Sequence, residues 1–152
     1  MVKTFLIGLF LTFSFLGQAQ QNWQHDIEAA KTEAQASNKA IFLYFSGSDW
    51  CAPCIKLKRD ILETEGFKAF SDDNLVMLKA DFPRKKANQL DKEQQTKNDA
   101  LAEKYNSTGI FPLSVLINAK GEVLGTWEGF PSGLTTAKFI EEIQKTSQKK
   151  TN

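Results

Sequence analysis

Cys51 and Cys54 are the two cysteines of the chain, and they stand three positions apart in Trp50-Cys51-Ala52-Pro53-Cys54. On a helix that spacing stacks two thiols one turn apart, within reach of each other. Unpaired backbone N–H groups and the macrodipole at a helix N-terminus favour negative charge, so the first sulfur is stabilised as the nucleophilic thiolate. The second can then attack a mixed disulfide formed by the first, releasing a reduced substrate and leaving an internal disulfide. Cys51 is expected to attack and Cys54 to resolve.

Other chemistries of the same pair fit less well. A permanent structural bridge would close a very short loop and gain little chain entropy. Structural zinc takes four Cys or His ligands, and His25, the single histidine, lies ahead of the first buried strand. Two thiolates suit Cu(I), but Met77 is the only methionine after the N-terminal segment. No metal site and no cofactor are expected. A non-enzymatic module binding Cu(I) or a partner protein stands as the alternative function. Asp49 and Lys79 are charges able to influence the sulfurs electrostatically, with plain solvation as the alternative reading. His25 reads as a surface or capping residue, and Trp127, Phe130 and Phe139 as core.

The elements that position the pair follow from hydrophobic periodicity. Residues 40–45 form a continuous apolar run, the pattern of a strand covered on both faces. Cys54, Leu57, Ile61 and Leu62 keep helical spacing beyond a turn at Ser46-Gly47-Ser48-Asp49, so Cys51 falls where strand gives way to helix. Trp23, Ile27, Ala30 and Ala34 predict a helix over 23–37, ended by Asn38. Residues 65–70 predict a further short helical piece, 75–80 a second buried strand, and 112–118 a third. The turn Asn118-Ala119-Lys120-Gly121 and residues 122–127 predict a hairpin. Leu134, Ala137, Ile140 and Ile143 predict a closing helix. Residues 84–105 are polar, with a thin stripe of Ala87, Leu90, Leu101 and Tyr105, and predict one long exposed helix. The order gives an α/β fold with a central mixed sheet flanked by helices on both faces.

At 152 residues the chain accommodates one domain with a real core. Its formal charge of +1 excludes a nucleic-acid partner. The basic stretches 56–59 and 84–86 are short and neighboured by Asp60, Asp81 and Asp91, the pattern of a solvated face. Lys3, an apolar run from Phe5 to Leu16 and Gly17-Gln18-Ala19 make residues 1–19 a signal peptide, leaving residues 20–152 as the domain. The run has 12 residues, whereas a spanning helix takes about 20, so no permanent membrane anchor is expected. Export to the periplasm or beyond permits disulfides to persist and to cycle.

The chain resembles the thioredoxin family, in its exported group, over residues 23 to 145. Residues 50–54 are similar to the family signature Trp-Cys-Gly-Pro-Cys, with Ala52 in the glycine position. Phe111-Pro112 resembles the dipeptide before the third strand, whose proline peptide bond is cis and faces the active site. The resemblance implies a thioredoxin-like fold and a thiol–disulfide oxidoreductase, with Cys51 and Cys54 catalytic. It implies that Trp50, Phe111 and Pro112 bind substrate, the Phe111 backbone pairing with an extended segment. Implied partners are disulfide-containing exported proteins and an upstream dithiol electron donor, and a monomer is expected. Ala52-Pro53 sets neither a cation nor an imidazole between the sulfurs, which leans the direction toward reduction or isomerisation. The sequence departs from the family at Phe45, where a buried acid is expected six positions before the first cysteine. The Cys54 proton is then expected to leave by another route, through water or a substitute acceptor such as Asp81 or Glu63. The polar helix 84–105 is a second departure.

Overall fold

Six of the seven residues of Ala40–Ser46 are buried, and this strand, β2, is the centre of the sheet. The computed structural model describes residues 21 to 148; the expected signal peptide, 1–19, lies outside them. In chain order the elements are β1 (Trp23–Gln24), α1 (Ile27–Ser37), β2, α2 (Ala52–Leu57), α3 (Glu65–Asn74), β3 (Leu75–Asp81), α4 (Lys92–Tyr105), β4 (Leu113–Ile117), β5 (Val123–Glu128) and α5 (Thr136–Gln148). A π-helical turn, Lys58–Leu62, continues α2. The five strands run β1-β3-β2-β4-β5. β1, β3 and β2 are parallel, while β4 and β5 join antiparallel. The sheet is mixed, as the hairpin predicts.

Strand alternation divides the core into two layers. Phe42 and Tyr44 point toward α2, α3 and α5, where they meet Cys54, Leu57, Ile61, Phe67 and Phe139. Ile41, Leu43 and Phe45 point toward α1 and α4, where they meet Ala30, Ala34 and Leu101. Phe67 stacks on Phe139 at 6.0 Å, and Phe42 meets both rings edge-on. Full burial of each such ring contributes about 1.5–3 kcal/mol.

Two elements differ from the sequence reading. Trp23 and Gln24 are not helical: they form β1, paired with Met77 and Leu78. α1 begins later because the Asp26 carboxylate caps it, accepting from the N–H groups of Glu28 and Ala29. Asn38 ends it in the left-handed conformation, φ 55°. The long polar helix is also shorter than expected. Residues 84–91 form an irregular segment with a single 3-10 turn at Lys86–Asn88, and Asp91 caps α4 through the Gln94 N–H. α4 is anchored by the buried Asn98, which donates to the Asp81 carbonyl at 2.8 Å, and by Leu101 in the core.

Candidate active site

The turn that delivers the cysteines begins at Gly47, whose carbonyl accepts from the N–H groups of Trp50 and Cys51. No side chain fits at position 47, since a Cβ there would lie 2.3 Å from the Trp50 indole. Cys51 is the N-cap of α2 and Pro53 sits in its first turn, where proline's missing N–H costs nothing. Cys51 and Cys54 are joined in a disulfide. The Cys54 N–H points at the Cys51 sulfur from 3.2 Å, so the helix start supplies a donor to the sulfur expected to carry negative charge. Cys51 is 4% exposed and Cys54 1%. Both residues are buried in the core layer beneath the turn.

Tyr44 anchors the cysteine turn from beneath. Its hydroxyl donates to the Cys54 carbonyl at 2.9 Å. Burial pushes the phenol up to about 12; the nearby Asp81 carboxylate acts in the same direction, and a hydrogen bond with Ser46 opposes it. Asp81, at the end of β3, accepts from both the backbone N–H and the hydroxyl of Ser48 and pairs with Lys79 at 3.4 Å.

This geometry corrects the expectation for Phe45. That residue faces the α1 and α4 layer, on the opposite side of the sheet from the sulfurs. A count of six positions back from Cys51 lands on the wrong face. The residue beneath the cysteine turn is Tyr44, one position earlier. Of the two substitute acids, Asp81 acts on Tyr44, whereas Glu63 is exposed and paired with Lys58 at 3.2 Å. Lys79 belongs to the Asp81 pair. His25 is exposed, its carbonyl accepting from Gln94. Trp127 and Phe130 pack against the core layer that holds the buried Phe139.

The three residues assigned to substrate binding come together. Phe111-Pro112 is a cis peptide bond directly before β4. The Phe111 ring meets Trp50 and Phe82 edge-on, each at 5.5 Å. Buried Asn106 closes the loop ahead of this dipeptide by bonding both the N–H and the carbonyl of Ile110. The Trp50 indole N–H donates to the Phe82 carbonyl at 2.7 Å, and the Arg84 guanidinium lies 3.7 Å above its ring. Arg84 is an addition to this face, and Asp49, expected to act on the sulfurs, is committed to residues 84–88. Asp49 accepts from the N–H groups of Arg84 and Lys85 and from the Asn88 side chain, all at 2.9–3.0 Å. The Arg84 N–H above all, with Asn88 and Lys85, holds its carboxyl below the ordinary carboxylate range.

Comparison with known proteins agrees with this arrangement. A thioredoxin-like family model matches residues 22–119. The disulfide bond reductase DsbH of Chlamydia pneumoniae is 39% identical over 129 residues, covering 85% of this chain and 74% of that protein. A solved structure of a DsbH oxidoreductase superposes with a TM-score of 0.76 at 35% identity, covering 86% of each chain. A thioredoxin from Thermus thermophilus shares the fold at 20% identity, with a TM-score of 0.62 over 84% of this chain and 88% of that one. With a joined cysteine pair capping its second helix, the chain therefore belongs to the thioredoxin-like family and is a thiol–disulfide oxidoreductase.

Proposed function

We propose that this oxidoreductase reduces or isomerises disulfides in exported proteins, with Cys51 as nucleophile and Cys54 as resolving thiol. The observation that carries the reading is the Cys51–Cys54 disulfide at the cap of α2, with Cys51 as the capping residue and the Cys54 N–H directed at its sulfur. In the reduced protein the Cys51 thiolate attacks a substrate disulfide: one new S–S bond forms, the substrate's breaks, and one substrate sulfur leaves as thiolate. Cys54 gives up its proton to solvent and attacks the Cys51 sulfur. The internal disulfide forms, the second substrate thiolate departs, and two electrons have passed to the substrate. An upstream dithiol returns them. The name of the Chlamydia relative supports the reducing direction, and the pattern of residues 1–19 supports export to the periplasm or beyond. Trp50, Phe111 and Pro112 form the surface on which an extended substrate segment lies, its backbone pairing with that of Phe111.

Trapping tests the assignment. The Cys54→Ser variant, expressed in cells that export the protein, accumulates mixed disulfides visible on non-reducing gels, because nothing resolves the Cys51 adduct. Cys51→Ser accumulates none. Equal trapping by the two variants, or none by either, overturns the roles and favours a module that binds Cu(I) or a partner protein.

A further inference from the structure

Residues 82–88 are fastened to the cysteine turn at several points, although more than thirty positions separate them from it in sequence. The Phe82 N–H donates to Ser46, the Phe82 carbonyl receives the Trp50 indole N–H, and Asp49 holds the backbone of Arg84 and Lys85. Asp49 immediately precedes Trp50-Cys51, so the carboxylate that organises this segment is covalently next to the site. The consequence is the placement of Arg84, whose guanidinium carbon lies over the Trp50 ring that borders Phe111.

A stacked guanidinium uses only its face. Its N–H donors radiate in the plane and match the two oxygens of a carboxylate. Among the described residues, no side-chain N–H of Arg84 enters a hydrogen bond, and no carboxylate lies within ion-pair distance of it. Asp49 is not available to Arg84's side chain, since its oxygens are committed to backbone and Asn88 donors. Exposed Lys85 and Lys86 extend the positive edge. Lys56 lines a groove with Pro53, Phe130 and Pro131. Two basic stretches that read as solvated surface thus lie next to residues 50–54, Arg84 over Trp50 and Lys56 in a groove with Pro53, in a chain whose overall charge is close to zero.

Resting on the substrate reading above, we propose that residues 82–88 are a recognition strap, in which Arg84, laid on Trp50 and held by Asp49, receives an acidic side chain flanking the disulfide of an extended protein segment. The occupant is a cystine-bearing segment with Asp or Glu near its cysteine. The strap selects among substrates and takes no part in the sulfur chemistry.

The test uses two synthetic peptides that share one intramolecular disulfide, flanked by Glu in one and by Lys in the other, reduced by the full mature chain with a dithiol donor. The readout is the ratio of their kcat/KM values, which is independent of the folded fraction in each preparation. The wild type favours the Glu peptide by about two- to fivefold at low salt, the effect of one exposed ion pair. The preference shrinks as ionic strength rises. Arg84→Gln removes it, Arg84→Glu reverses it, and Arg84→Lys keeps part of it. Equal reduction of both peptides by the wild type overturns the strap and leaves the reductase reading standing; reduction of neither overturns both. A preference that survives Arg84→Gln but disappears in Lys56→Gln also overturns it, moving recognition to the groove.

Discussion

Tyr44 does the work of fixing Cys54 with one hydroxyl group. The phenol crosses from the sheet to the Cys54 carbonyl in a buried layer, where a hydrogen bond is not contested by water. The Tyr44→Phe variant keeps the ring and its packing and loses the bond, so a destabilisation of about 1 kcal/mol is expected in urea unfolding. A pH signature separates this loss from general loosening. The folded phenol is raised to about 12 from an ordinary value of 10.0. Its contribution is therefore complete below pH 10 and is lost as pH rises through about 12, because the unfolded chain ionises first. With the disulfide intact, so that neither cysteine titrates, wild type loses stability across that window more steeply than Tyr44→Phe does. Parallel curves for the two proteins would show that the folded phenol is not raised. The residue could not be singled out in the sequence, where it is one apolar position among six in the run 40–45. A single step along a strand changes the face, and a position counted back from Cys51 inherits any difference in turn length.

At the scale of elements, the turn between β2 and α2 depends on a glycine that the sequence marks only as part of a loop. Gly47 lies against the indole of Trp50, and that indole is held by the Phe82 carbonyl, the Phe111 ring and Arg84. A methyl group at 47 has nowhere to go, because its nearest neighbours would be atoms of the Trp50 ring rather than the end of a flexible chain. Gly47→Ala is expected to cost about 1–3 kcal/mol, the range for overpacking, and to shift the Trp50 fluorescence. Stability within about 0.5 kcal/mol of wild type, the scatter of ordinary surface changes, with an unaltered spectrum would contradict the contact. Element types were legible where apolar period was strong: β2, β3, β4 and α5 lie where the pattern predicts them. Element starts were less so. Asp26 and Asp91 both accept helix N-terminal N–H groups, and Asp91 with Gln94 has the spacing of a capping pair. Those caps outweigh the apolar residues Trp23, Ala87 and Leu90, which had drawn both helices too far toward their N-termini.

For the whole molecule, the cysteine pair and the strand before it were readable because local sequence creates them. The surface around them was not, since Asp49 meets residues 84–88 and Tyr44 meets Cys54 only after the sheet has formed. The same long-range logic bears on where the mature chain begins. Trp23 and Gln24 pair with β3, the Gln21 side chain donates to Ser71 at 3.0 Å, and the Trp23 ring packs 6.1 Å from Tyr44. The chain therefore takes part in the fold from Gln21 onward. Cleavage after Ala19, where the small residues Gly17 and Ala19 suit a signal peptidase, leaves those contacts whole. With the export proposed above, mass spectrometry of the processed protein is expected to find Gln20 as the first residue. A start beyond Trp23 would strip β1 from the edge of the sheet and the indole from beside Tyr44, and retention of Lys3 in a membrane fraction would replace a released domain with an anchored one.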